Sequence, residues 1–532
     1  MLILVIFFSL LLFLLFVYGG KFLKKLIPAI IVVSIIPSFI IVSSLAITGT
    51  IYHRSDFDVI FTTDLYESIE FVYQFISFKI VALLILYFLP LILLFNIKKH
   101  IKELTIQEDS RRYLVIIIVT ILFIFIFAYN WKIIQGEYHV VDFYKSFYQF
   151  VNNKQFDIYR GKRVNKKWND NVKCKLNIKE PKIFVLVIGE SLSRSHMQVY
   201  GYQRETNPEL SKIQQNLYIF TDVISPAVTT VDVMKYVLTF ATLKNPESFI
   251  EKRSVVNLFK DAGFETIWIG NQSLRGNRNN LSHSLIAHEC DQFYDVSSDT
   301  DSVVVDKLIE VLNRGGKNDR FIIIHLRGCH TKYSSRYPES FNYFDNIKNP
   351  VPYGENLSKT DKRIIDEYDN SVRYNDFIIY SIISIVQSKS LYSWVLYFSD
   401  HGEELFEFRD MFGHNSRNYS KYMCDIPFIV WVSENYKIKD TNFFSRLKYF
   451  VHRPYSTEYV IYSLSDLSRL EYQDFNPVYS IFSDKFVNGV RYVYNTKYEN
   501  IPPISRNNNS KVVENVKLGY NRNVLKKKDS ID

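Results

Sequence analysis

At 532 residues the chain is long enough for two or three domains. Its formal charge of +9 is spread through both halves, and its aromatic residues, 16% of the total, fall mainly in apolar segments. This pattern excludes a nucleic-acid-binding module, which would concentrate basic and aromatic residues in one patch.

The first quarter of the chain predicts a transmembrane domain over residues 1–131. Four apolar stretches, at 2–19, 26–48, 80–97 and 113–130, each approach the roughly 20 residues that a helix needs to cross a hydrocarbon core of ~30 Å. A cleaved signal peptide is the alternative for the first stretch, but that stretch has no basic segment before it and no A-x-A-like site after it. The pattern therefore favours about four membrane helices.

The distribution of lysine and arginine predicts how these helices are oriented. Basic residues collect between the first and second stretches and between the third and fourth, which indicates that both loops are cytoplasmic. The loop between the second and third stretches is acidic and would face outward. Everything after residue 131 is therefore predicted to lie outside the cytoplasm.

The second half of the chain begins with a polar, aromatic segment without strong periodicity, residues 132–180, which predicts a juxtamembrane linker with short helices. A catalytic domain is predicted at 181–500 and a basic polar tail at 501–532. Four cysteines follow the membrane stretches, on the side where disulfides can form: Cys174, Cys290, Cys329 and Cys424. Their spacing leaves every pairing open, and Cys424, which precedes an apolar strand, also fits a buried free thiol.

Short apolar runs recur in the catalytic domain and predict buried β-strands. They are separated by longer segments with helical spacing, such as 303–312 and 364–388. The runs lie at 183–188, 266–269, 321–326, 394–398 and 426–432. Continuous apolar strands that alternate with helices are typical of an α/β fold in which a mainly parallel sheet is covered by helices on both faces.

Polar residues follow these strands directly. Glu190 comes after the first strand, Asn271 after the second, His330 after the third, and Asp400 with His401 after the fourth. Any one of them alone would fit a helix cap or a surface group. Because ligands bind at the carboxyl ends of the strands in open sheets of this class, we expect these side chains to share one site.

Three of these side chains are of the kinds that bind zinc. Glu190, Asp400 and His401 would supply oxygen and nitrogen ligands, and zinc sites that carry out hydrolysis or transfer leave a fourth position for substrate or nucleophile. A threonine hydroxyl in that position would have a lowered pKa and could attack phosphorus at neutral pH. The sequence therefore predicts a zinc-assisted phosphoryl or sulfuryl transfer site.

Two adjacent threonines, Thr229 and Thr230, are candidates for this nucleophile. Both lie in a loop that leads into a helix predicted to begin near residue 231 or 232. Thr230 is closer to the junction, where helix amides favour a phosphoryl group, and we prefer it for that reason. The alternative is that either threonine only caps the helix.

Two histidines in glycine-containing loops are further candidates. His330 and His414 could bind the transferred phosphate, protonate the leaving group or hold a second zinc. Glu403 and Glu404 follow the Asp-His pair, where they could cap a helix or support His401.

A set of short motifs runs through residues 181–435. They are Gly189-Glu190-Ser191-Leu192-Ser193-Arg194, Tyr200-Gly201-Tyr202, Thr206-Asn207-Pro208, Leu238-Thr239-Phe240-Ala241, Asn271-Gln272, Ser399-Asp400-His401-Gly402-Glu403 and Gly413-His414. In combination with Thr230, this set resembles the membrane-bound phosphoethanolamine transferases of the alkaline phosphatase and sulfatase superfamily.

This resemblance implies roles for individual residues. Four side chains would bind zinc: Glu190, Thr230, Asp400 and His401. Thr230 would also be the nucleophile that becomes phosphorylated, with Thr229 as the fallback. Three further side chains would contact the substrate or a second zinc, so that the site would hold one or two ions: His330, His414 and Asn271.

The resemblance also implies substrates and a location. The donor would be phosphatidylethanolamine, and the acceptor would be a lipooligosaccharide or lipopolysaccharide, with the motifs at 238–241 and 271–272 favouring core heptose over lipid A. The protein would be a multi-pass protein of the bacterial inner membrane with a periplasmic catalytic domain. The family usually has five membrane helices and several disulfides, whereas this sequence predicts four helices and has cysteines for two disulfides at most.

Three alternatives differ in their sequence requirements. A sulfatase would need Cys or Ser in a C/S-x-P-x-R setting, and no arginine follows Ser225-Pro226 at a suitable distance. A phosphoglycerol transferase can also use a threonine and a lipid donor, so it stays open. In a membrane scaffold that retains only the fold, we would expect the zinc ligands to be replaced by other residues, but all candidate zinc ligands are present in this sequence.

Overall fold

The computed structural model describes residues 171–502, with gaps at 177, 273, 275–281, 315–317, 346–349 and 390–391, and the isolated positions 69, 81, 85, 148 and 161. Apart from those isolated positions, the four predicted membrane stretches, the linker up to residue 170 and the tail from residue 503 lie outside the described residues. Within the described part, no helix is both long enough and apolar enough to span a membrane. The chain divides into two compact units, Met1–Ile158 and Tyr159–Asp532, and nearly all described residues belong to the second.

A seven-stranded sheet forms the centre of the described domain. The strands in chain order are β1 (Lys182–Gly189), β2 (Leu217–Phe220), β3 (Glu265–Gly270), β4 (Gln292–Asp295), β5 (Arg320–His325), β6 (Tyr392–Ser399) and β7 (Phe428–Val432). Their spatial order is β2-β7-β6-β1-β5-β3-β4. β7 is antiparallel to both of its neighbours and every other pair is parallel, so the sheet is mainly parallel, as predicted, with one reversed strand.

The five predicted strands correspond to β1, β3, β5, β6 and β7. These strands are almost entirely buried on both faces, which explains their continuous apolar sequences. The last predicted strand starts two residues late, at Phe428, because Pro427 has no amide hydrogen to donate to the sheet. The edge strands β2 and β4 were not predicted, and both are largely half-buried.

Helices cover both faces of the sheet. They are α1 (Pro208–Lys212), α2 (Thr230–Val237), α3 (Ser248–Glu251), α4 (Val255–Asp261), α5 (Ser282–Ala287), α6 (Ser302–Asn313), α7 (Lys359–Lys389), α8 (Lys421–Cys424), α9 (Glu434–Lys439), α10 (Thr441–Leu447) and α11 (Val460–Leu467). On one face, Val185 of β1 shares a core with Leu308 of α6 and Ile379 of α7. On the other, Phe184 stacks on Trp394 and on Tyr436 of α9, with ring centroids 5.1 and 5.8 Å apart.

Short pairings join distant parts of the chain to this domain. Lys173–Cys174 pairs with Leu470–Glu471, so the end of the predicted linker takes part in the domain's structure. Tyr492–Val493 and Thr496–Lys497 form an antiparallel pair, called here the 492–497 hairpin. All four cysteines are free thiols, and Cys329 and Cys424 are buried, so the disulfides left open by the sequence do not form.

Candidate metal centre

Two neighbouring strands bring the predicted zinc ligands together. β1 and β6 run parallel and pair at Gly189 and Ser399, so the residues that follow each strand emerge at the same edge of the sheet. One ligand atom from each of Glu190, Asp400 and His401 lies within 4.8 Å of the other two, and all three side chains are buried. The placement at strand ends that the sequence indicated therefore produces a three-residue cluster.

The backbone directly after β1 adopts a left-handed conformation. Ser191 has a φ of +59°, which costs a non-glycine residue on the order of 1 kcal/mol or more. In this conformation its amide donates to Asp400 Oδ1 at 3.1 Å and its hydroxyl donates to Glu190 Oε1 at 2.8 Å. Ser191 therefore fixes one oxygen of each carboxylate, a role that the sequence did not reveal.

Two glycines let other loops approach these ligands. A Cβ atom at Gly328, where φ is +52°, would lie 2.7 Å from the Glu190 carbonyl oxygen and 2.8 Å from its amide nitrogen. A Cβ atom at Gly402 would collide with the carbonyl oxygen of Tyr422. Only glycine fits at both positions, so the loops after β5 and β6 pack their backbones against the cluster.

The two candidate threonines have different partners. α2 begins at Thr230, one residue earlier than predicted, and Thr229 precedes it in an extended conformation. The Thr230 hydroxyl donates to Glu190 Oε2 at 2.9 Å, whereas the Thr229 hydroxyl donates to Asp232 Oδ2 at 2.8 Å. Thr230 is therefore the threonine that joins the ligand cluster.

Burial of two carboxylates beside one imidazole shifts all three pKa values. Burial, with the charge of Glu190, raises the pKa of Asp400 to about 7. Burial alone would lower the pKa of His401, but Asp400 and Glu190 raise it to about 10. Burial also works against a charged Glu190, but the charge of His401, whose Nε2 lies 3.3 Å from Glu190 Oε1, holds its pKa well below the usual range. The cluster thus carries more negative charge than its histidine balances, which favours a bound cation.

The unused atoms of the cluster fit a zinc ion. Asp400 Oδ2 and His401 Nε2 are buried and make no hydrogen bond to any described residue. His401 Nδ1 lies 3.0 Å from the Gly402 carbonyl oxygen, so it carries a proton, and Nε2 is the nitrogen that would bind a metal after releasing its own proton. This is the arrangement that a histidine ligand of zinc commonly has, and the oxygen and nitrogen donors suit the same metal.

The two further histidines lie beside the cluster. The His414 ring is 4.3 Å from the His401 ring between centroids, and its Nδ1 is 3.2 Å from Glu403 Oε1. Burial and the neighbouring His401 lower the pKa of His414. His330 is close enough to Glu190 for its charge to lower the pKa of that carboxylate, and its buried Nδ1 has no hydrogen-bond partner among the described residues.

The glutamates after the Asp-His pair do not cap a helix, because Glu404–Leu405 is a short strand. Glu404 is paired with Arg409 at 2.7 Å. Glu403 is buried and bonds to His414 and to the Tyr333 hydroxyl instead of to His401. Glu403 therefore supports His414, a candidate substrate-binding residue, and not His401.

Asn271 and Gln272 contact different parts of the site. The Asn271 side chain is committed to the loop before α6, where its amide donates to Asp301 Oδ1 at 2.8 Å and its oxygen accepts from the Ser298 amide at 2.6 Å. Asp301 in turn accepts from the amide of Gly328, next to the cluster. Gln272 contacts a ligand directly, since its Nε2 donates to Glu190 Oε2 at 2.8 Å. Asn271 was predicted as the site residue of this pair, but Gln272 is the one that contacts Glu190.

The class of the protein follows from its match to known families. The sulfatase family profile matches residues 182–468, more than half of the chain, and contains all four candidate ligands. The chain therefore belongs to the sulfatase family. The α/β architecture and the family predicted from the sequence are both confirmed.

Similar proteins include several phosphoethanolamine transferases. Phosphoethanolamine transferase EptC of Escherichia coli strain K12 is 34% identical over 333 residues, which cover 60% of this chain and 56% of that protein. The Kdo(2)-lipid A phosphoethanolamine 7''-transferase of the same strain is 28% identical over 257 residues, covering 47% of this chain and 44% of the relative. The chain thus aligns with about half of the length of these curated relatives.

Two solved structures of phosphoethanolamine transferases are also similar to this chain. The C-terminal periplasmic domain of E. coli EptC in complex with zinc is 33% identical, with a TM-score of 0.58 over 63% of this chain and 96% of that structure. The integral membrane protein lipooligosaccharide phosphoethanolamine transferase A of Neisseria meningitidis is 18% identical, with a TM-score of 0.58 over 89% of this chain and 87% of that one. The second likeness shows the fold alone.

Proposed function

We propose that this protein is a zinc-dependent phosphoethanolamine transferase of the bacterial inner membrane whose catalytic domain lies in the periplasm. It takes phosphoethanolamine from phosphatidylethanolamine and transfers it to lipooligosaccharide or lipopolysaccharide, at a core heptose or on lipid A. The observation that carries this proposal is the Thr230 hydroxyl on Glu190, beside the unused ligand atoms of Asp400 and His401. The similarity to phosphoethanolamine transferases selects the transferred group.

The first half-reaction loads the threonine. Thr230 Oγ1 attacks the phosphorus of the lipid, the bond from phosphorus to the diacylglycerol oxygen breaks, and diacylglycerol leaves after taking up a proton. The Thr230 hydroxyl donates to Glu190 Oε2, so its proton leaves toward that carboxylate. Thr230 is also the first residue of α2, whose free amides stabilise a phosphoryl group on its side chain.

The same residues prepare the site before substrate arrives. Zinc held by Glu190, Thr230, Asp400 and His401 would lower the pKa of the threonine hydroxyl and offset charge on the phosphoryl oxygens. Ser191 orients both carboxylates, and the Gly402 carbonyl orients the His401 ring. The site is thus held in position by hydrogen bonds that do not depend on substrate.

The second half-reaction transfers the group to the acceptor. An acceptor oxygen attacks the phosphorus of the phosphothreonine, the bond from phosphorus to Thr230 breaks, and the threonine is restored. His330 and His414 contact the transferred group or hold a second zinc. Because the pKa of His414 is lowered, its ring is neutral near neutral pH and can accept the proton of the attacking hydroxyl.

Mass spectrometry of envelope glycolipids tests this proposal. Cells that carry the intact gene should show a phosphoethanolamine-sized mass that is missing from cells without the gene and from cells that carry Thr230→Ala. Fragmentation would place the group on the core or on lipid A. Unchanged modification by Thr230→Ala would contradict the assignment of the nucleophile.

The donor is tested separately with labelled lipids. Purified full-length protein should transfer label from the headgroup of phosphatidylethanolamine and not from that of phosphatidylglycerol. Transfer from phosphatidylglycerol alone would instead support a phosphoglycerol transferase. Release of free label without transfer would support a hydrolase of the same family.

A further inference from the structure

We propose that Tyr494 is a positioning residue for Thr230, which it holds through hydrogen bonds on both sides of the nucleophile. This role rests on the proposed function. Tyr494 belongs to the 492–497 hairpin, beyond the sulfatase match at 182–468, and no catalytic role is assigned to that segment by the match. Within the hairpin, the role is assigned to the Tyr494 side chain alone.

One hydroxyl group joins the two sides of the junction between loop and helix. The Tyr494 hydroxyl accepts from the Val228 amide at 3.3 Å and donates to Asp232 Oδ2 at 3.0 Å. Val228 lies two residues before Thr230 and Asp232 lies two residues after it. The Tyr494 amide also donates to the Pro226 carbonyl at 2.9 Å, so the loop is held at three points.

The same contacts separate the two threonines. Asp232 Oδ2 accepts from the Thr229 hydroxyl at 2.8 Å as well as from Tyr494. An Asp232 carboxylate fixed by Tyr494 therefore keeps the Thr229 hydroxyl away from Glu190, while Thr230 takes that position. Loss of the Tyr494 hydroxyl would free both the carboxylate and the Val228 amide, and the Thr230 side chain would lose its fixed orientation.

The conformation of Tyr494 supports a specific use of its side chain. Tyr494 is the first of the two residues that connect the hairpin strands, and its φ is +50°. Two-residue turns with a positive φ at this position favour glycine, because a side chain there is strained. The ring packs against a small cluster that includes Val228 of the nucleophile loop and Met423, which delivers the hydroxyl to the junction.

Single-turnover labelling of Thr230 by the full-length protein tests this role. The probe is phosphatidylethanolamine in detergent micelles, and the labelled peptide is quantified after rapid acid quench. Tyr494→Phe should slow labelling about 10- to 100-fold, the size of effect expected from a displaced nucleophile. Zinc content should be unchanged, and steady-state transfer should show a lower kcat at an unchanged KM.

Tyr419→Phe is the matched control. The Tyr419 hydroxyl contacts the same hairpin, at the Val493 carbonyl (3.1 Å) and at Thr496 Oγ1 (2.7 Å), and neither hydrogen bond involves the nucleophile loop. Tyr419→Phe should label at the wild-type rate, whereas Asp232→Asn should slow labelling as Tyr494→Phe does. A wild-type rate for Tyr494→Phe would overturn the proposal, as would equal slowing by both tyrosine variants with equal loss of Tm. If wild-type protein is not labelled at Thr230 at all, the proposed function itself fails, and the role of Tyr494 fails with it.

Discussion

Two buried clusters in this chain combine histidine with two carboxylates, and they differ in what the histidine has left to bind. His196 is held at both ring nitrogens, with Nδ1 2.6 Å from Asp369 Oδ1 and Nε2 2.9 Å from Glu407 Oε1. His401 uses Nδ1 on its own loop and leaves Nε2 without a hydrogen bond to the described residues. A buried histidine beside acids therefore indicates a metal site only when a ligand atom remains unused.

The charges of the two clusters differ in the same way. Asp369 also accepts from Arg204 Nη1 at 2.7 Å and from the Tyr202 hydroxyl at 2.9 Å, so cationic side chains of the protein offset its charge. Asp400 faces only the imidazole of His401, whose Nε2 lies 3.6 Å from Asp400 Oδ2, and that oxygen accepts no hydrogen bond from the described residues. The His196 cluster fastens the loop after β1 to α7, whereas the His401 cluster is the one that could hold a metal ion.

Asp400→Asn should produce the largest change in activity. The substitution removes an anionic zinc ligand, so we expect loss of bound zinc and at least about a 10³-fold loss of transfer. It also removes repulsion from Glu190, so metal-free Asp400→Asn should be at least as stable as metal-free wild type. Zinc analysis, glycolipid transfer and urea unfolding with a chelator measure these effects. Full zinc content and activity would remove Asp400 from the ligand set.

The same substitution in the other cluster should act on stability instead. Asp369→Asn removes the carboxylate that His196 and Arg204 share and leaves them only Glu407 and Asp366, and breaking a buried ion pair costs about 3–5 kcal/mol. Urea unfolding should show a loss of this order, while the folded fraction keeps its zinc. Reduced zinc content at undiminished stability would show that the clusters are not distinct.

Alkaline pH should weaken the His196 cluster selectively. Burial alone would lower the pKa of His196, but the charges and hydrogen bonds of Asp369 and Glu407 raise it to about 9. Protonated His196 therefore stabilises the fold. This stabilisation is complete below pH ~6.5, the pKa of histidine in the unfolded chain, and it is lost as the pH rises through about 9. Zinc-saturated wild type should lose about 3 kcal/mol of unfolding free energy across this window. His196→Gln, measured in parallel, should lack this slope, and an equal slope in both proteins would contradict the assignment.

The smallest expected effect is that of a reducing agent. All four cysteines are free, so dithiothreitol should leave the Tm unchanged. Thiol titration of the denatured protein without reductant should count four thiols. A fall in Tm with reductant would show that a disulfide contributes to the stability of the domain.

The sequence was most informative where burial is complete. β1, β3, β5, β6 and β7 are buried on both faces and have apolar sequences, and the predicted ligands after β1 and β6 lie together in the structure. Of the two missed edge strands, β4 has only two apolar residues in a row, whereas β2 is an apolar run of four that the sequence analysis overlooked.

Contacts between distant segments could not be predicted. Ser191 and Gln272 stand next to residues that were predicted, but their hydrogen bonds to Glu190 depend on a left-handed backbone and on the loop after β3. Tyr494 bonds to Val228 of the nucleophile loop, 266 residues away in sequence. No local pattern in the sequence encodes such a contact.

The most direct test of this account is the location of the covalent intermediate. Wild-type protein is incubated with phosphatidylethanolamine without acceptor, quenched in acid, digested and sequenced by mass spectrometry. The account predicts a phosphoethanolamine group on Thr230, absent from Thr230→Ala and reduced in Tyr494→Phe. Phosphoethanolamine on Thr229, or transfer to acceptor with an unmodified peptide throughout the time course, would contradict it.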